Sequence, residues 1–499
     1  MMNIKSLESL ANVLHYRSIV VTVGLGLMIF FVLNKRAKNN IGSNSNSSRS
    51  TSTNDEKPPI PRAKLGLLAC VKMMTSNEKP WILLKLAKEL DSFLFQLNLT
   101  TLYGAPWIVV AEPKVVRQVL IDPLSKKTPQ IYETLANGVC NGTQSIFTSN
   151  GEFWHSRRSG MVTAFSTKHV KRMTTVASRK EDKWIEKRLL KFIEKGEAFD
   201  VFKEMVNIVS EAMIETAFEY QIDDAEKEKV LHDFNVALKE FTSKAVANPF
   251  RKIFGIFLPE RRLAHISSKR IHLFSMKLIE HYRRLESPTK DTIIDKIMNN
   301  DAYKNDIERA ADIIVLIIAS FETTANTIAW ILKDLAKCKK YQEELRESLS
   351  SLNRDGWGQS HVLRKIVKES MRLHPVVAGG PKRTIGKDIV IDGGAILQKG
   401  TIVDMPLILL LRNSNIFEDA DSFIPSRWDN PTQEMKEAFI PFALGKQNCI
   451  GQSLANTEIY SLVPRICSEF ELELVDEGET SFFLTLKSEN TMIKAKKIS

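Results

Sequence analysis

The sequence predicts a mainly α-helical fold with small β-sheets, built as one large domain spanning about residues 57–499. Three observations carry this expectation. Long stretches with helical apolar spacing occur at Glu228–Ser243, Arg261–Arg284 and Asn305–Cys338. Strand-like alternation is confined to short pieces, Asp388–Ile391, Phe470–Val475 and Phe483–Leu486. From Lys64 onward no second linker and no internal repeat interrupts the chain. With 43% hydrophobic and 26% charged residues, 499 residues suffice to bury a large core.

Taken in order, residues 1–17 form a short N-terminal flank, and Ser18–Leu33 is an uncharged apolar run. Its length falls just under the roughly 17–25 residues of a membrane-spanning helix. Lys35, Arg36 and Lys38 follow at once, whereas the preceding side carries Lys5, Arg17 and the amino terminus against Glu8. That bias predicts a single-pass anchor at 18–33 with the bulk of the chain in the cytosol. A cleaved signal peptide is the competing reading, and the IGSNSN stretch that follows offers no A-x-A cleavage pattern. Residues 34–56 read as a basic stop and a flexible linker, because Asn39–Asn54 is rich in Ser, Asn and Thr. Pro58-Pro59-Ile60-Pro61 then stiffens the entry to the domain.

Charge and motif content narrow the function classes. Lys plus Arg exceed Asp plus Glu by 70 to 59, a formal charge of +11, which suits an acidic partner or an anionic membrane surface. No dense basic block points to nucleic acid. The cysteines, Cys70, Cys140, Cys338, Cys449 and Cys467, form no CxxC pair and no disulfide framework, so a reducing compartment fits. Phosphate-loop, GxGxxG and HExxH signatures are all missing from the sequence.

Four constellations remain. In Phe442-Ala-Leu-Gly445-Lys-Gln-Asn-Cys449-Ile-Gly451, a cysteine sits just before a helical stretch, where unpaired N–H groups and the helix dipole favour a thiolate. The two glycines let the backbone approach a flat ligand. Glu369 and Arg372 share one helical face at i,i+3, before His374-Pro375 ends the helix; a surface ion pair would be the bland explanation. In the long helix, Glu322-Thr323-Thr324 interrupts an apolar run and could be a surface patch with back-bonded hydroxyls. Trp154 and Arg158 share a helical face, and Arg383 follows Pro381-Lys382; each arginine taken alone would be a solvated charge.

Together these segments resemble the cytochrome P-450 family. The Cys449 segment resembles its FxxGx[RH]xCxG haem signature, with Gln447 in place of the usual Arg or His and Lys446 beside it. Glu369-Ser-Met-Arg372 is similar to its ExxR motif, Phe423-Ile-Pro425-Ser-Arg427-Trp428 to its FxPxRW segment, and Ala319-Ser-Phe-Glu322-Thr323-Thr324 to its oxygen-binding segment, with Ser320 replacing a Gly. The resemblance implies the cytochrome P-450 fold and haem b (iron protoporphyrin IX) ligated through its iron by Cys449. It further implies cofactor contacts from Phe442, Gly445, Gly451, Trp154, Arg158 and Arg383, and a structural triad of Glu369, Arg372 and Arg427. By the same match, Thr323 would hydrogen-bond the oxygen species and Glu322 would feed it protons. Ile146, Phe147, Ala319, Thr323, Val376–Gly380 and Phe482–Phe483 would border the substrate site. These are mostly apolar, which suits a lipophilic small molecule. The apolar cluster from Phe250 to Leu258 reads equally as a membrane-facing loop or a core helix.

The implied activity is a monooxygenase of the endoplasmic reticulum membrane, fed by a separate NADPH-dependent cytochrome P-450 reductase, with no nucleic-acid partner. Lys436, Lys446 and Arg157 are the basic residues that would receive the reductase's acidic face. Two alternatives stay open: a peroxide isomerase or dehydratase of the same fold, and a haem-binding sensor without turnover.

Overall fold

The computed structural model describes residues 60–65, 73, 78–97, 106–244, 251 and 257–498. The expected flank, anchor and linker at residues 1–56 lie outside the described residues, as does most of the Phe250–Leu258 cluster.

The core is organised by one helix, Asp306–Lys337, of 32 residues. Asn305 caps it, its side-chain oxygen accepting the Glu308 N–H at 3.0 Å. From Ala310 to Ile318 every residue is buried, and burial resumes from Thr324 to Leu335. Among the described residues it is the one helix long and apolar enough to cross a membrane, yet 83% of its most apolar window is buried inside the protein. A helix apolar all round is a core helix when other helices cover it. Here Val201–Phe218, Pro259–Arg283, His361–Leu373 and Gln452–Glu469 do so. The other two predicted helices appear at Asp224–Leu238, continued by a π-helical turn at Lys239–Lys244, and at Pro259–Arg283. Pro259 opens the latter, where a missing N–H costs nothing.

The sheets are small. The largest has five strands, β1 (Leu94–Leu97), β2 (Trp107–Val110), β3 (Lys126–Lys127), β4 (Lys382–Thr384) and β5 (Ile402–Asp404), in the order β1-β2-β5-β4-β3. Gly380 leads into β4 at φ +56, and a Cβ there would strike the Met405 carbonyl, so only glycine lets this segment lie against β5. The predicted pieces at Asp388–Ile391 and Phe470–Val475 correspond to short strands Ile389–Val390 and Phe470–Asp476. The third piece is corrected: Phe483–Leu486 is mostly the turn of a hairpin whose strands are Glu479–Phe482 and Leu486–Glu489. Its apolar residues meet other parts of the core and do not line one sheet face. Phe482 lies 3.0 Å from where a Gly379 Cβ would stand, and the Leu486 N–H donates to the Val376 carbonyl at 2.7 Å.

Candidate active site

Cys449 lies in a loop held by its own backbone. The Cys449 N–H donates to the Phe442 carbonyl at 2.9 Å, and the Asn448 N–H to the Gly445 carbonyl at 3.2 Å. Gly445 has φ +73, and a Cβ would sit 2.5 Å from the Leu120 carbonyl oxygen, so glycine is required here by the close pass of another chain segment. Gly451 has φ −85, and a Cβ there would make only ordinary contacts with Phe165 and Cys449 among the described residues. Three residues beyond Cys449 begins the helix Gln452–Glu469.

The thiol of Cys449 is free and the residue is exposed. Enclosure by surrounding protein raises its pKa, while the Gly451 N–H and the Arg158 guanidinium pull it down. A bound metal cation would decide that balance in favour of thiolate. Arg158 braces the loop from the neighbouring helix Gly151–Val162: its Nη2 donates to Asn448 Oδ1 at 2.7 Å, and its guanidinium lies 5.7 Å from the ring of buried Trp154. Gln447 is half-buried and its Oε1 has no hydrogen-bond partner, whereas Lys446 is exposed.

Sequence reasoning missed Lys127. In the β3–β4 ladder Lys127 stands directly opposite Arg383, and both are buried, at 6% and 5% exposure. Like charges facing across antiparallel strands repel. Burial, then Arg383, then Arg158 push the Lys127 pKa down to about 7. Arg383 donates to Tyr132 Oη at 3.4 Å and to the Lys382 carbonyl at 3.0 Å. Among the described residues none of Lys127, Arg158 and Arg383 forms an ion pair with a carboxylate. Three cations sharing one neighbourhood without a carboxylate of their own suit a ligand that brings carboxylates, as a haem does. The available signal was the pair Lys126-Lys127 in a strand, where alternation must turn one lysine inward.

The central helix opens at one turn. Ala319 is exposed, and Ser320 and Thr323 are half-buried, between neighbours that are buried on both sides. Thr323 Oγ1 donates to the Ala319 carbonyl at 2.6 Å, and Ser320 Oγ to the Ile317 carbonyl at 2.9 Å. Glu322 is turned into protein: it is buried, its Oε2 has no partner, and burial raises its pKa against the opposing influence of Lys487 and Thr485. An exposed strip on an otherwise covered helix and a free thiol in a glycine loop suit a cofactor held through sulfur.

Glu369, Arg372 and Arg427 come together. The Glu369 carboxylate is fully buried; Oε1 accepts from Arg372 Nη2, Arg427 Nε and the Ile424 N–H, and Oε2 from Arg372 Nε and Trp428 Nε1, each at 2.9 Å. Trp428 and the Ile424 amide are partners that the triad pattern did not include. Arg372 also donates to the carbonyls of Leu411, Ala420 and Ser422, which carry the segment leading to Arg427.

Arg157 is a correction. Expected as a basic surface residue, it is fully buried between the rings of Phe153 and Tyr303, with Nη2 2.6 Å from Glu308 Oε2. Adjacent helix positions diverge by about 100°, so Arg158 turns to the cysteine loop while Arg157 turns to the central helix. Lys436 is exposed. Of the expected substrate-site residues, Ile146 is buried, Phe147 and Val377 are exposed, and the hairpin tip brings Phe482 against Gly379.

The family model for cytochrome P450 matches residues 59–498. Cytochrome P450 4F8 of Homo sapiens is 26% identical over 395 residues, covering 71% of this chain and 74% of that protein. Cytochrome P450 3A6 of Oryctolagus cuniculus is 26% identical over 406 residues, covering 75% and 78%. A probable cytochrome P450 508C1 of Dictyostelium discoideum is 23% identical over 452 residues, covering 85% and 90%. With the cysteine loop, the ExxR helix and the open turn of the central helix in one domain, the chain belongs to the cytochrome P450 family of haem-thiolate monooxygenases.

Proposed function

We propose that this protein inserts one oxygen atom of dioxygen into a lipophilic small molecule, using haem b and electrons from a separate NADPH-dependent reductase. The single observation that carries the reading is the free, exposed Cys449 thiol, in a loop braced through Asn448 to Arg158 and near cations that form no ion pair with a carboxylate among the described residues. The bound haem would supply redox chemistry with dioxygen; Cys449 would hold its iron through the sulfur, and Lys127, Arg158 and Arg383 would hold its carboxylates. Phe442, Gly445 and Gly451 shape the loop around the sulfur. Trp154 is the expected further contact on the Arg158 side.

The chain's own residues then manage protons and access. Glu322, protonated more readily because it is buried, would be the proton reservoir, and because its side chain is turned into protein a bridging water would have to carry the proton to the Thr323 hydroxyl. Thr323 already spends its hydrogen on the Ala319 carbonyl, so its oxygen lone pairs are free to accept. Phe147, Val377 and Phe482 supply apolar walls. Exposed Lys436 and Lys446 would meet the reductase, and Ser18–Leu33 would anchor the chain in the endoplasmic reticulum membrane with the domain cytosolic.

The test is spectroscopic first. Reduced protein under carbon monoxide is expected to show the strongly red-shifted Soret band of a thiolate complex, and Cys449→His to abolish it. An unchanged band in that variant sinks the ligand assignment. Adding reductase and following NADPH and dioxygen consumption separates the monooxygenase from an isomerase or dehydratase, and from a sensor that consumes neither.

A further inference from the structure

The loop Gln144–Phe147 runs between the helices Pro129–Gly138 and Gly151–Val162, and one of its residues is held by both of its backbone polar groups. The Ile146 N–H donates to Asp312 Oδ1 at 2.6 Å. Its carbonyl accepts from Lys127 Nζ at 2.9 Å. Asp312 belongs to the central helix and is fully buried; its Oδ2 accepts from Tyr303 Oη at 2.6 Å and lies 3.7 Å from Arg157 Nη1. Lys127 belongs to β3, beside Arg383. So a strand of the five-stranded sheet and the central helix both hold the backbone of one loop residue, by groups of opposite charge.

A carboxylate in the apolar first half of the central helix is costly to bury, and the nearest cation is not in hydrogen-bond contact with it. An aliphatic side chain would pack there more cheaply, so the acid needs another reason. Its geometry supplies one. Phe147, the next residue, is 42% exposed although its neighbour Ile146 is buried. The Phe147 ring rests edge-on against Tyr132 at 5.5 Å, and the Tyr132 hydroxyl faces Arg383. Fixing the Ile146 backbone therefore fixes an exposed aromatic ring beside the proposed carboxylate-binding cations.

We propose that Asp312 and Lys127 are positioning residues that clamp the Ile146 backbone, setting Phe147 as a rigid wall of the ligand site and deciding which ligand sizes reach the cofactor. The proposal rests on the functional reading above for the claim that Phe147 borders the ligand site. The clamp itself rests only on the bonds just described. Ser145 and Thr148 close the loop locally, the Ser145 N–H donating to Thr148 Oγ1 at 2.9 Å, so loss of the clamp frees the loop as a unit without unravelling it.

The test uses the haem-loaded full chain and the variants Asp312→Ala, Asp312→Asn and Lys127→Met. Amide hydrogen exchange of the peptide covering residues 144–147 is expected to quicken by about tenfold or more in Asp312→Ala, the usual worth of a charge-assisted hydrogen bond. Asp312→Asn, which keeps an acceptor, should fall between. Two nitrogen ligands of haem iron, imidazole and the bulky azole clotrimazole, are then titrated by their spectral shift. Clotrimazole affinity is expected to change by about tenfold while imidazole stays within about twofold, a split that general destabilisation would not produce. Unchanged exchange in Asp312→Ala overturns the clamp. Faster exchange with equal shifts for both ligands overturns the role in size selection. If Asp312→Ala does not fold, Asp312→Asn and Tyr303→Phe carry the same comparison. Failure of the underlying reading looks different, because the unaltered protein would then give no azole shift at all.

Discussion

Replacing Glu369 by Gln changes almost no volume and removes one charge from a fully buried site. Five hydrogen bonds, all at 2.9 Å, end on its two oxygens. A carboxamide has one acceptor. Whichever way it turns, its NH2 group confronts either Arg372, Arg427 and the Ile424 amide, or Arg372 and Trp428, so two or three donors lose their partner. Breaking a buried ion pair by removing one member costs about 3–5 kcal/mol, a large part of the roughly 5–15 kcal/mol that holds a domain folded. At about 2–4 °C per kcal/mol for domains of 150–250 residues, and less for a larger one, Tm should fall by about 5–10 °C. The assay is thermal denaturation of purified holoprotein followed at the Soret band, together with haem content per chain. Lys114→Gln is the control, since its ion pair with Asp392 is exposed on both sides and worth little. If Glu369→Gln melts within about 1 °C of the unaltered protein and keeps its haem, the buried-network argument and its magnitude are wrong.

Three further outcomes are expected. In haem-free protein, Lys127 has a folded pKa near 7, below its ordinary value of 10.5; the unfolded chain binds the extra proton between those values, so this group's contribution to stability rises as pH rises through that window. Denaturant titrations should show that slope flattened in Lys127→Met, and an identical slope would refute the assignment. Glu458 behaves oppositely: burial and then the charge of Glu181 push its pKa from 4.5 to about 8, so its folded form holds a proton that the unfolded form releases, and stability is lost as pH rises through that range. Glu458→Gln should therefore gain over the unaltered protein progressively up to about pH 8, by a few kcal/mol at about 1.4 kcal/mol per pKa unit, and a constant difference would contradict the cause. Thr323→Ala should keep its haem while more of the NADPH consumed with reductase ends as hydrogen peroxide, and equal peroxide yield would leave Thr323 as a helix residue only.

What the sequence made legible was local. Cys449, Gly445 and the following helix lie within one short segment, and Glu369 and Arg372 lie one turn apart, so spacing alone could pair them. Arg427 needed the family resemblance, because 58 positions separate it from Glu369. Trp428 and the Ile424 amide were invisible as partners for the same reason. Lys127 escaped because a two-residue strand is too short to be recognised in sequence, so the alternation of Lys126 and Lys127 could not be used, and nothing near it in sequence reveals Arg383 across the ladder. Arg157 was misassigned because a charge on a helix gives no sign of which neighbour covers it; Phe153 is local, but Tyr303 and Glu308 come from another part of the chain.

Lys127 ties these strands of argument together. Its ammonium faces two arginines that lower its pKa and one peptide carbonyl that needs its proton. Neutral Lys127 can still donate to Ile146, but less strongly, because a charged donor makes roughly twice the hydrogen bond of a neutral one. Carboxylates placed among Lys127, Arg158 and Arg383 would reverse the effect of the arginines and restore the charge. The same proton would then serve both the cofactor's acidic edge and the Ile146 clamp. Any ligand that binds the folded form alone stabilises it by mass action. Here the stabilisation would be channelled through one lysine into the loop that carries Phe147, so cofactor loading and the rigidity of that wall would be linked by the charge state of a residue that touches both.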